Sequence, residues 1–120
     1  VLEGVAYGLK DSFSLIAHAG LPSDFSVRMS GGGTQSHLWQ GIIADILGAP
    51  LVNVNTPEAG AFGAALLAMV GQGIYADVAE ACRQTIHTGD VVQPSANHAR
   101  YADDYLTYMA LYPALKPLVM

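Results

Sequence analysis

Residues 27–48, VRMSGGGTQSHLWQGIIADILG, limit this chain more than any other stretch, because three consecutive glycines separate a strand pattern from a helix pattern. Val27 and Met29 alternate as strand residues do, and Ser30 ends the run. Gly31, Gly32 and Gly33 carry no side chains, so the backbone there can take positive φ and let another molecule approach. Thr34 or Ser36 is placed to cap the following helix, whose apolar positions are Leu38, Ile42, Ile46 and Leu47. First-turn N–H groups would then point back over the glycines and make a seat for a phosphate or a nucleotide. A tight turn is the plainer reading of a glycine cluster. Three glycines followed by Thr-Gln-Ser favour the nucleotide. The stretch is not a Walker loop, because no Lys follows the glycines. Nor is it a dinucleotide fingerprint: G-x-G-x-x-G is missing, and the next strand ends at Asn55 without an acid.

The rest of the chain reads as support. Leu2, Val5, Ala6, Leu9, Phe13, Ile16 and Ala17 form one apolar helix face, with Gly4 and Gly8 allowing a close neighbour. Gly20 and Pro22 stop that helix, and Ser23 and Asp24 turn into a strand at 25–29. Gly48 closes the second helix, Pro50 follows it, and Leu51, Val52 and Val54 predict a second strand. Thr56 is the expected N-cap and Pro57 the first residue of a thin Ala/Gly helix over 59–70, which should lie close to its neighbours. Gly71 and Gly73 end it. A helical stretch at 76–86 should turn Val78, Ala79 and Cys82 inward, and 87–97 reads as a polar connection. The last helix, 98–115, carries Tyr101, Tyr105, Tyr108 and Tyr112 in a narrow stripe, and Pro113 and Pro117 come at the end of the chain. The stripe suggests a docking face for the rest of the protein. The fold class is α/β, a parallel strand pair with helices, in a single domain spanning 1–120. Two strands are too few for a stable sheet, so further strands are expected upstream.

Composition agrees with a piece of something larger. The chain is 52% hydrophobic and 12% charged, starts with Val, and enters a helical pattern at once. A net charge of −5 with only five Lys and Arg leaves no basic surface for nucleic acid. No apolar run approaches the ~18 residues of a membrane span, and the expected compartment is cytoplasmic. A lone cysteine, Cys82, excludes an internal disulfide. His18, His37, His87 and His98 lack metal-ligand spacing, so no metal ligand is assigned. Trp39 is expected in the core rather than stacked on a base. Asp45 reads as a buried carboxylate bonded to nearby backbone, and Glu58 as a helix cap.

The stretch VRMSGGGTQSHLWQGIIADILGAPLVNVNTPEAGAFGAALLA is similar to the C-terminal domain of the FGGY family of carbohydrate kinases. LEGVAYGLKDS resembles the family's helix before the glycine strand, and YMALYPALKPL resembles the terminal helix of its xylulokinase branch. The resemblance implies an actin-like ATPase fold, two ribonuclease H-like domains with ATP and sugar in the cleft between them. This chain would be the C-terminal part of the second domain. SGGG, with Gly31, Gly32 and Gly33, would be the adenosine motif, Gly32 and Gly33 lying along phosphate and ribose and Ser36 at the position that touches adenine. The helix after Glu58 resembles the segment near the interdomain hinge. ATP, Mg²⁺ and a ketose, D-xylulose, are the implied cofactors and substrate; gluconate, ribulose and glycerol remain open. The family's Asp base and N-terminal phosphate motif match no position here, so no catalytic residue is assigned. A non-catalytic oligomerising domain is the alternative from another class. Either way, open apolar faces predict a homo-oligomer or association with a partner.

Overall fold

A computed structural model describes residues 1–20, 26–56 and 58–119. Pro22, Ser23, Asp24, Phe25 and Pro57, given roles above, lie outside the described residues. In chain order the elements are α1 (Leu2–His18), β1 (Val27–Met29), a 3-10 turn (Gly32–Gln35), α2 (His37–Leu47), β2 (Leu51–Val54), α3 (Ala59–Gly71), α4 (Val78–Thr85), β3 (Thr88–Val92) and α5 (His98–Val119).

α2 is the centre of the packing. Its Ile43, Ala44 and Ile46 are buried together with Ala6 and Tyr7 of α1 and Leu51 of β2. Leu38, expected on the apolar face, is 68% exposed. The inward face instead starts with a polar residue, Gln40, which is fully buried. Gly48 closes α2 in the left-handed conformation at φ 69°. A Cβ there would also strike the His98 ring. That ring donates from Nδ1 to the Asp45 carbonyl at 2.8 Å. The Asp45 carboxylate is 6% exposed and accepts from the backbone N–H and the hydroxyl of Ser95. It is the buried backbone-binding acid that its setting suggested, and it pins the segment before α5 onto α2.

The sheet has three strands in the order β1-β2-β3. β1 and β2 are parallel, with Val27 opposite Leu51 and Met29 opposite Asn53. β3 runs antiparallel to β2, with Leu51 opposite Val92 and Val54 opposite Thr88. The parallel pair matches expectation, whereas β3 corrects the polar connection read at 87–97. Thr88, Gly89, Asp90 and Val91 are all exposed, so this edge strand shows no apolar alternation. Its backbone ladder recruits it to the sheet, helped by Val92 packing on the core and by the Asn55 side chain, which accepts from the His87 N–H and donates to the Thr85 carbonyl.

α3 and α4 depart further from expectation. Thr56 is buried and Glu58 occupies the N-cap position of α3 without a side-chain capping bond. Only Leu66 of α3 is buried, and a Cβ on Gly60 or Gly63 would meet nothing within 4 Å. The thin helix is therefore not closely packed within this chain. α4 begins with a reciprocal cap: the Glu80 N–H donates to Asp77 and the Ala76 N–H donates to the Glu80 carboxylate, both at 2.7 Å. It turns Ala81 inward, while Val78 and Ala79 are exposed and Cys82 is half-buried. The radius of gyration, 17.8 Å, exceeds the roughly 14 Å of a compact domain this long.

α5 passes through Pro113 and Pro117 and runs beyond the end expected at Leu115. Each proline removes one N–H, and in this exposed half of the helix water can take the freed carbonyls. Upstream, Tyr101, Tyr105 and Tyr108 close on Tyr7 of α1, with ring centroids 6.3, 5.9 and 5.2 Å away. Most of the stripe thus docks inside this chain, leaving Tyr112 71% exposed. Gly8 makes room for the Tyr108 hydroxyl; Gly4 faces nothing. Tyr105 donates to Asp11, and the Lys10 ammonium lies 4.8 Å from the Tyr105 ring centroid. Tyr101 donates to Glu3 at 2.8 Å.

That last bond, then burial and nearby carboxylates, pushes the Tyr101 hydroxyl up from 10.0 to about 12. The folded state therefore holds the proton more tightly than the unfolded chain does. Its contribution is intact below pH 10 and is lost as pH climbs towards about 12. A tyrosinate absorbance titration should show a late-ionising tyrosine, and Glu3→Gln should bring that step back towards 10. A titration unaltered by Glu3→Gln would show that the Tyr101–Glu3 bond is not formed.

Candidate nucleotide site at the glycine turn

The turn grows from the carboxyl end of β1, the usual side for ligands in parallel α/β sheets. Gly31 takes φ 82° and ψ −170°, a conformation that needs glycine. Its carbonyl accepts from the Thr34 N–H at 3.1 Å and from the Thr34 hydroxyl at 2.8 Å. The Ser36 N–H donates to the Gly33 carbonyl at 3.4 Å, closing the 3-10 turn. Of the two candidate caps, Ser36 is the one used: its Oγ accepts from the Trp39 N–H at 3.3 Å, while Thr34 closes the turn. The 3-10 turn, which begins at Gly32, thus stands between Gly31 and α2. The N–H groups of Thr34 and Ser36 are engaged within it rather than directed at a ligand.

The three glycines do different jobs. Gly31 supplies the bend. A Cβ on Gly32 would meet nothing within 4 Å, so this residue faces open space. A Cβ on Gly33 would lie 2.7 Å from the Met29 terminal methyl and 3.3 Å from Trp39 Cδ1, so Gly33 is needed for internal packing. Trp39 is half-buried against the core, as expected. Beneath the turn, the buried Gln40 donates from Nε2 to the Thr34 carbonyl and accepts from Asn53 Nδ2 at 3.2 Å. Neither residue stands out in the sequence. The usable signal was a lone amide at 40, one turn ahead of Ile43 and Ala44 on the same helix face.

Electrostatically the turn is quiet. Residues 30–41 contain no Asp, Glu, Lys or Arg. Among the described residues, no group of three His, Cys, Asp or Glu is placed to hold a metal. Residues 30–41 therefore present backbone and uncharged side chains, with no Lys, Arg or carboxylate for a triphosphate–metal pair. Asp45, Ser95 and His98 have the composition of a hydrolytic triad, yet His98 Nδ1 bonds the Asp45 backbone, so they form a structural knot. No described helix is long and apolar enough to cross a membrane.

Comparison with known proteins decides the family. Residues 1–72 match the FGGY family of carbohydrate kinases, C-terminal domain. This chain belongs to that family. A xylulose kinase of Staphylococcus epidermidis is 32% identical over 119 residues, covering 98% of this chain and 24% of the relative. The crystal structure of a kinase from Brucella ovis, titled a xyloylose kinase, superposes with TM-score 0.82 at 31% identity, over 98% of this chain and 24% of that one. A gluconate kinase from Lactobacillus acidophilus superposes with TM-score 0.80 at 26% identity, over 96% of this chain and 23% of that one. The α/β fold expected from the FGGY resemblance, part of an actin-like ATPase domain, is the one this chain adopts. The chain spans about a quarter of the length of these relatives.

The unequal duties of the glycines are measurable. Gly33→Ala must push Met29 or Trp39 aside and should lower unfolding free energy by about 1 kcal/mol in a denaturant titration. Gly32→Ala should stay within about 0.5 kcal/mol of wild type. Equal losses at the two positions would contradict the packing described.

Proposed function

We propose that this chain supplies the adenosine side of the cleft of an ATP-dependent sugar kinase of the xylulokinase type. The observation that carries this is the uncharged glycine turn at the end of β1, open at Gly32. Gly31 sets the bend, Gly32 and the Gly33 backbone lie along ribose and phosphate, and Ser36 meets adenine. The Ser36 cap uses only the acceptor side of its hydroxyl, so the O–H is available to donate to a base nitrogen. ATP, bound with Mg²⁺, supplies the γ-phosphoryl group. Charged contacts to the phosphates and metal would come from the rest of a cytoplasmic parent enzyme, as would the base that takes the sugar proton. The residues of this chain bind and orient; positioning and electrostatics in the closed cleft accelerate the transfer. The relatives' names favour xylulose as the acceptor, and we take it as D-xylulose phosphorylated at a primary hydroxyl. The gluconate kinase likeness favours gluconate as the second choice. The segment 1–120 is then the C-terminal part of the second domain, and α3, β1 and the grooves beside them face the remainder of the enzyme.

Three outcomes test this. In the full-length enzyme, Gly32→Val should raise the KM for ATP by about tenfold or more while leaving the KM for sugar unchanged. Equal changes for both substrates, or none, would reduce the glycines to a turn. The 120-residue chain alone should show no turnover in a coupled assay, and activity above a vector control would sink the division of labour. Exposed apolar residues such as Leu67, Ile74 and Leu111 should drive the isolated chain to dimers or larger species in light scattering at micromolar concentration. A monomer that binds no hydrophobic dye would contradict the exposed faces.

A further inference from the structure

We propose that Gln40 and Asn53 form a directional amide relay that fixes the height of the glycine turn over the sheet and thereby sets its affinity for adenosine. The proposal rests on the nucleotide reading above and adds positioning residues to it. A carbonyl oxygen can only accept, so the Thr34 carbonyl dictates that Gln40 presents Nε2 to it. Gln40 Oε1 is then turned to Asn53, which must present Nδ2, at 3.2 Å. Asn53 Oδ1 is left buried with no hydrogen-bond partner among the described residues. Each amide is oriented by the one before it, from turn to helix to strand.

The placement gives the relay its leverage. Gln40 is among the largest fully buried side chains, on the face of α2 that also buries Ile43 and Ala44. Burying an amide there is costly unless its hydrogen bonds are made, and an apolar side chain would fill the same space without that cost. The amide at 40 is therefore accounted for by its two bonds rather than by packing. Asn53 sits opposite Met29 in the β1–β2 register, so the relay ties the turn to the strand beside the one it grows from. The turn itself is soft, with a positive-φ glycine at 31 and open space at 32. Anchoring the Thr34 carbonyl removes motion that a nucleotide would otherwise have to freeze on binding.

The experiment uses the polypeptide that carries this chain at its full natural length, with Gln40→Met and Asn53→Ala. It reads hydrogen exchange of the peptide 31–36, ADP affinity by calorimetry, and the KM values for ATP and sugar. With the melting transition retained, Gln40→Met should speed exchange at 31–36 and weaken ADP binding, each by about tenfold, and raise the KM for ATP without moving the KM for sugar. Asn53→Ala should shift the same readings in the same direction by less. Unchanged exchange in Gln40→Met would overturn the relay. Faster exchange with unchanged ADP affinity would also overturn it, leaving a structural role only. If Gln40→Met does not fold, Asn53→Ala decides by the same readings. Failure of the wild-type protein to bind ADP would remove the nucleotide reading itself, a result distinct from an insensitive Gln40.

Discussion

Burial of one face of α2 is the constraint on which the rest of the structure depends. Ile43, Ala44 and Ile46 lock this helix between α1, α5 and the sheet, and Gly48 and Asp45 fasten its carboxyl end to the segment leading into α5. The amino end is fastened differently, by the Ser36 cap and by Gln40 reaching back to Thr34. With both ends held, the glycines before α2 have little choice of position. A loop of three glycines would otherwise be among the softest segments of a chain like this.

The site that results is polar through its backbone and carries no charge. For the phosphoryl transfer proposed above, that divides the work unevenly. A surface built from main chain and one hydroxyl can hold a base and a ribose, because those groups ask for shape and directed hydrogen bonds. Triphosphate and metal need cationic and carboxylate partners. Residues 30–41 provide neither. The open Ala/Gly helix and the exposed edge of β1 fit the same division: surfaces of this kind are complete only against further structure.

Local chemistry was legible where side chains announce it. The glycine triplet, the Ser36 cap, the left-handed Gly48 and the buried Asp45 could all be read from residue type and spacing, because each follows from a short-range rule. Readings failed where tertiary context decides. β3 is an exposed edge strand with no apolar alternation, and α5 runs through two prolines because its outer half meets water. Leu38 and Val78 look inward by period but face outward, since the packed faces of α2 and α4 are set by their neighbours. Gln40 and Asn53 were missed because a buried amide resembles a surface one until its partners are known. The tyrosine stripe was read as a surface for docking, and most of it docks on α1.

The central claim is that the glycine turn is the adenosine seat. Photolabelling the full-length enzyme with an azido-adenine nucleotide and mapping the adduct by mass spectrometry tests it most directly. The account predicts adducts within residues 31–40, suppressed by excess ATP and not by sugar. Competable labelling confined to other segments, such as α3, α4 or α5, would contradict it.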